Sequence, residues 1–175
     1  MKRLILAAAL AGATLCPAAA VAQDTSSGVL TVTATIASSI SLSFESDASG
    51  VALAGSGTNA ATMAFGSVSA FGTISTAGVT RTVGATDFTV SSPFGVKVVT
   101  ANSSSASYNL AASLGSADAT NTWRVGATTL STTPATVATA QGYGSAIAHT
   151  LTITIPQSAA AGALSRTVNF TATAN

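Results

Sequence analysis

Apolar and polar side chains alternate along most of this chain, and no stretch after residue 22 has the spacing of an amphipathic helix. The clearest alternating run is Leu30-Thr-Val-Thr-Ala-Thr-Ile36, and the pattern returns over 150–155 and 167–173. Because successive side chains of an extended chain point to opposite faces, each run predicts a strand with one apolar face. Gly, Ser, Asn and Pro separate the runs, as in all-β sandwiches. We therefore expect a single antiparallel immunoglobulin-like β-sandwich.

The first 22 residues have the organisation of an export signal. Two basic residues are followed by an apolar stretch over 4–16, and small residues at 20–22 offer a cleavage site. That stretch is too short to span a bilayer, which takes about 20 apolar residues. The sequence therefore predicts a cleaved signal peptide over 1–22 and one domain over 23–175 with no transmembrane segment. We expect export through the periplasm to the cell surface or the extracellular space.

Charged side chains are scarce, at 6% of the chain. Loss of the two basic signal residues leaves four basic and five acidic side chains, so no basic field is present to attract nucleic acid. The single cysteine, Cys16, leaves with the signal, so the mature chain has neither a disulfide nor a thiol nucleophile. Low charge also removes a usual guard against edge-to-edge pairing of strands.

The residue types needed for catalysis do not form a recognisable set. His149 is the sole histidine, and no G-x-S-x-G elbow surrounds a serine. Glu45 and Asp47 are the nearest pair of carboxylates, and we interpret them as solvated loop charges instead of a glycosidase pair. One histidine without cysteine excludes the usual zinc clusters. We predict a protein that is not an enzyme, with no catalytic residue, cofactor or metal. We interpret His149 as a residue at the end of a sandwich strand.

Local patterns predict further strands and one break. Alternation over 108–114 predicts a strand with one buried face. Pro93 is expected to separate a strand over 86–90 from one over 94–98, because proline cannot donate to a ladder. A short strand is expected around 63–65.

Four features follow one another along most of the mature chain. They are the N-terminal strand over 30–36, Phe65-Gly-Ser-Val68, Tyr143-Gly144 ahead of Leu151-Thr-Ile-Thr-Ile155, and Ala161-Gly162 ahead of Arg166-Thr-Val-Asn-Phe-Thr-Ala-Thr173. Together they resemble the spore coat protein U / archaic chaperone–usher pilin family. The resemblance implies an incomplete immunoglobulin-like sandwich, which the N-terminal strand of a neighbour completes by β-augmentation.

The resemblance also implies a role for the N-terminal strand at about 29–36. Its pocket-filling donor side chains would be Leu30, Val32, Ala34 and Ile36. The expected protein is a structural subunit of a surface pilus, coat or matrix. Its partners would be further copies or related subunits, and the resemblance also implies a periplasmic chaperone and an outer-membrane usher.

Two other hypotheses stay open from the residues alone. The N-terminal strand could pair within its own sheet, in a monomeric secreted binding module for a ligand such as carbohydrate. Tyr108, Trp123 and Tyr143 are the candidates for a sugar platform in that case, although core filling is their default role. A hydrolase with an unrecognised site is the weakest hypothesis.

Overall fold

The computed structural model describes residues 26–175, and this part of the chain has strands, turns and bends but no helix. The predicted all-β class is confirmed. Within these residues no helix is available to cross a membrane. The predicted signal peptide lies outside the described residues. The strands are β1 (Ser39–Ser46), β2 (Thr80–Val83), β3 (Asp87–Ala101), β4 (Tyr108–Leu114), β5 (Thr122–Val125), β6 (Thr128–Thr129), β7 (Ala135–Gln141), β8 (Ala146–Pro156) and β9 (Val168–Ala174).

Residues 36–175 form one compact unit built from two antiparallel sheets. One sheet has the order β1-β3-β8-β5-β6, with β2 also paired to β3, and the other has the order β7-β4-β9. The run β1-β3-β8-β5 corresponds to strands A-B-E-D of an immunoglobulin domain, and β4-β9 corresponds to strands C and F. An immunoglobulin domain has a further strand, G, beside F. Among residues 26–175 no strand pairs with that side of β9.

The core lies between the sheets, where alternate residues of facing strands meet. Val90, Val96 and Val98 of β3 are at most 1% exposed, and Tyr108 and Leu110 of β4 are fully buried. Full burial of such a side chain stabilises the fold by roughly 1.5–3 kcal/mol. The predicted strand over 108–114 is confirmed, with its apolar face in this core.

Pro93 lies inside β3, so the predicted break there was wrong. β3 pairs with two strands on the same side: β2 covers 88–91 and β1 covers 94–101. The backbone N–H and C=O of Phe44 in β1 bond to residues 57–58, away from β3. Phe44 lies opposite Val96, so the even-numbered residues of β3 do not bond to β1. The odd-numbered residues of β3 are therefore the ones that bond toward β1 and β2. Pro93 falls in the gap between the two strands, where its missing N–H removes no ladder bond.

The predicted short strand over 63–65 is also absent. The chain between β1 and β2 makes only isolated bridges, such as Ala54 with Thr62. Met63 and Phe65 nevertheless pack against the core. Their alternation therefore reflects one buried face of an extended connection without a ladder partner.

Candidate strand-acceptor groove

A groove of about 1370 Å³ opens beside β9. One wall is formed by 162–170, which includes the first residues of β9, and the other by 59–68, in the connection after β1. Core side chains, among them Val90, Trp123 and Ile153, form the floor. The groove therefore gives access to the core at the edge where an immunoglobulin domain has strand G.

Most of the described residues that line the groove are apolar, although polar and apolar atoms contribute about equally to its surface. Among residues 26–175, Arg166 is the only charged residue that lines it. The ring of Phe170 meets those of Phe44 and Phe94 edge-on, with centroid distances of 5.3 and 5.7 Å. Such a surface favours an uncharged occupant with apolar side chains.

The outer edge of β9 presents backbone groups that no strand of residues 26–175 uses. Thr167 and Asn175, at the two ends of β9, both hydrogen-bond toward β4 and its flanking residues. In an antiparallel ladder the residues between two bonded positions turn their N–H and C=O the other way. Val168, Phe170 and Ala172 therefore direct these groups toward the open edge, where an additional strand could bond to them.

Asp118 pairs with Arg166, a residue in one wall of the groove. Its side chain is only 2% exposed and lies 3.5 Å from Nε of Arg166. The indole N–H of Trp123 donates to it at 2.9 Å, and the backbone N–H groups of Thr120 and Asn121 donate at 3.1 and 3.0 Å. Burial alone would raise the pKa of this carboxyl, but these hydrogen bonds together hold it well below its usual range.

The role of Asp118 was missed from sequence. It appeared only as one of five scattered acidic residues, and no local pattern links it to Arg166, 48 positions later. The one available signal was its position five residues before the sole tryptophan, whose N–H needs an acceptor when buried.

The predicted donor residues are exposed in the single chain. Leu30, Val32 and Ile36 are 87%, 80% and 78% exposed, and Ala34 is exposed as well. Residues 26–38 form no strand, so the strand expected over 30–36 is not formed here. A segment counts as a strand only when a neighbouring strand supplies ladder hydrogen bonds. Residues 30–36 have the alternation of a strand but no strand beside them in the described part of the chain.

The aromatic residues of the sugar-platform hypothesis are mostly inside. Tyr108 is fully buried and Trp123 is 5% exposed. Tyr143 is half-buried, and its hydroxyl donates to the carbonyl of Ser107 at 2.9 Å. These side chains fill the core, their default role, and form no exposed platform.

His149 lies on the inner side of β8, next to the aromatic residues of the groove. Its ring centroid is 6.0 Å from that of Phe94, and its Nε2 is buried without a hydrogen-bond partner among residues 26–175. Burial lowers the pKa of His149, because the charged imidazolium loses hydration.

Acidification through the ordinary histidine range should therefore destabilise the fold. The folded-state pKa is below the unfolded value of 6.5, so the unfolded chain binds the proton first and stability falls as pH drops below 6.5. The fall should level off once pH is below the folded pKa. Urea unfolding between pH 7.5 and pH 5 measures this slope. His149→Leu should flatten the slope, and an unchanged slope in that variant would contradict the assignment.

No family model, curated protein or solved structure matches this chain. The likeness to spore coat U and archaic chaperone–usher pilins thus rests on the sequence segments named above. The structural features that constrain function are the groove, the open edge of β9 and the exposed segment over 29–36.

Proposed function

We propose that this protein is an exported, non-enzymatic structural subunit that assembles into a surface pilus, coat or matrix by strand donation. The segment over 29–36 of one copy would occupy the groove of the next and pair with the open edge of β9. The observation that carries this proposal is the edge of β9 that no strand of residues 26–175 covers, together with the groove that leads to the core.

The groove fits a chain segment better than a small ligand. Its volume of about 1370 Å³ exceeds the roughly 300–1,000 Å³ typical of small-molecule sites. It combines an apolar floor with a row of outward backbone groups at Val168, Phe170 and Ala172. A strand with alternate apolar side chains satisfies both, because its backbone bonds to the edge while every second side chain enters the groove.

The chemistry of the donor segment is complementary to the groove. Leu30, Val32, Ala34 and Ile36 share one face of an extended chain, and the residues between them are threonines. The segment over 29–36 carries no charge, so its insertion buries no ion beside Arg166. Burying such apolar side chains contributes roughly 25 cal/mol per Å² removed from water.

Connectivity favours a neighbouring copy over the chain's own groove. Only Ala37 and Ser38 separate Ile36 from β1, whose first residue is Ser39. Folding back beside β1 would require a two-residue hairpin turn, and these turns depend on Gly, Asn or Asp at positions of positive φ. Ala37-Ser38 supplies none of them. Donation between copies is heterologous and does not close, so it grows a fibre.

An exposed groove would also give a role to the further partners that the resemblance implies. A subunit with an open edge and an accessible core is prone to wrong pairing before assembly. A periplasmic chaperone that lends a strand, followed by an outer-membrane usher that orders the exchange, would prevent it. The final location would be the cell surface or the extracellular space.

Removal of residues 23–37 tests the proposal. The shortened chain should stay folded and monomeric, and should bind an added peptide of residues 23–37, with a rise in its melting temperature as the peptide concentration increases. A peptide of the same composition with its apolar residues grouped together is the control, and it should have no effect. If the shortened chain instead unfolds, or ignores the native peptide, the segment belongs to its own sheet and the protein is a self-contained module.

A further inference from the structure

We propose that assembled copies also pack end against end, with the distal end of one sandwich on the proximal end of the next. The distal end is where β3 begins and β9 begins, with Val83 and Leu164, and Phe71 lies beside β2 in the same half of the sandwich. The proximal end is where β1 begins and β3 ends, with Ser39 and Ser104. This inference rests on the proposed strand donation and identifies the second surface that donation brings together.

The connection between donor segment and sandwich is too short to hold the two copies apart. Ile36 is followed by Ala37 and Ser38, and β1 begins at Ser39. Three extended residues span at most about 11 Å. The proximal end of the donor copy must therefore lie within about 11 Å of the point where Ile36 leaves the acceptor groove.

The direction of the donated strand determines which end of the acceptor sandwich the donor copy contacts. The seventh strand of an antiparallel immunoglobulin-like sheet runs opposite to its neighbour, here β9. β9 begins at the distal end, where Val168 pairs with Leu114. A strand antiparallel to β9 therefore ends at the distal end, and Ile36 leaves the groove there, beside the wall that contains Leu164.

Exposed large apolar side chains are more numerous in this half of the sandwich. Within residues 37–175, after the donor segment, they are Phe71, Val83 and Leu164, whereas Val99 lies near the proximal end, opposite Ser41. Val83 pairs with Phe88 at the start of β3, and Leu164 precedes β9. A cluster of exposed apolar side chains at one end of a sandwich is typical of an interaction surface. Leu164 lines the groove itself, in the wall beside which Ile36 of the next copy leaves.

Phe71 is held in place although it is 74% exposed. The guanidinium of Arg81 in β2 donates to the carbonyls of Ser69 and Gly72, each at 2.7 Å, and so fixes the loop on both sides of Phe71. Gly72 has a φ of 91°, in the left-handed region that favours glycine. A pre-positioned aromatic ring loses little entropy on burial and makes an effective interface anchor.

Thiol crosslinking between copies tests the packing. With Cys16 changed to serine the chain has no cysteine, so one copy can carry Val83→Cys and another Ser104→Cys, both at exposed positions. In mixed assemblies a crosslinker no longer than the tether, about 11 Å, should join the two variants. Thr150→Cys, exposed in the middle of β8, is the control in place of Ser104→Cys and should give no product. Phe71→Ser should reduce the crosslink yield several-fold and leave peptide binding by the shortened chain unchanged.

The possible failures of the two proposals can be told apart. Fibres that form without the Val83–Ser104 product, or that link Val83 to Val83 in a single variant, would overturn end-to-end packing and leave strand donation standing. An unchanged crosslink yield in Phe71→Ser would overturn the anchor role of this ring. Failure of the cysteine-free parent to assemble at all would overturn both proposals.

Discussion

Val32→Asp is expected to abolish assembly while leaving each copy folded. Val32 lies at the middle of the donor segment and is 80% exposed in the single chain, so the substitution places no charge inside the unassembled fold. In the assembled state the same carboxylate would enter a groove whose one charged lining residue among 26–175, Arg166, is already paired with Asp118. Burial of an unpaired polar or charged group costs several kcal/mol, and a loss of about 4 kcal/mol lowers affinity by about three powers of ten.

Thr33→Asp is the matched control for this experiment. The substitution adds the same charge to the same segment as Val32→Asp does. The side chain at position 33, however, points to the opposite face of an extended chain. Fibres should therefore persist in Thr33→Asp and disappear in Val32→Asp, as measured by sedimentation and electron microscopy. Equal assembly by the two variants would contradict donation through the apolar face. Equal loss would show that charge anywhere in the segment matters and that the face does not.

Period-two alternation predicted the parts of this fold that depend on one strand and its immediate surroundings. The strand over 108–114 and the terminal strand are where the pattern places them, because a side chain that faces the core is apolar whatever strand lies beside it. Pro93 shows the limit of this reasoning. Its effect depends on whether a neighbour needs its N–H, and the gap between β2 and β1 arises only from the register of both strands on β3.

The groove could not be predicted for a related reason. Its walls, 59–68 and 162–170, are about a hundred residues apart, and only the pairing of β9 with β4 brings the second wall to the open edge. The proposed donor segment, in contrast, is a prediction that rests on its own residues. A donor needs only a repeating face, whereas an acceptor needs long-range topology.

Asp118→Ala is expected to lower the free energy of unfolding by about 1.5–3 kcal/mol, as when a charged hydrogen-bond acceptor is removed and its buried donors are left without a partner. Asp118 accepts hydrogen bonds from Trp123, Thr120 and Asn121 and neutralises Arg166. Without it the indole N–H and the guanidinium both lose a buried partner. Urea unfolding followed by the fluorescence of Trp123, the sole tryptophan, measures the loss directly.

The same substitution should weaken the groove as an acceptor, because Arg166 belongs to the wall over 162–170. Asp118→Asn keeps an acceptor for Trp123 but loses the charge, so it separates the two contributions. If the ion pair positions the wall, then Asp118→Asn and Arg166→Met should each lower the affinity for the 23–37 peptide, and the double variant should be little worse than either. Additive losses would instead mean that the two residues act independently.

The pH dependence separates Asp118 from His149. The pKa of Asp118 is held below its unfolded value of 3.8, so its contribution is present above pH 3.8 and is lost only as pH falls through the still lower folded value. Between pH 7.5 and pH 5 the ion pair with Arg166 is therefore intact, and loss of stability there is assigned to His149. Peptide binding should follow the same division. If Asp118 positions the acceptor wall, the affinity for the 23–37 peptide should be retained at mildly acidic pH. A loss of this affinity near pH 6 in His149→Leu would show that the wall depends on a different titratable group.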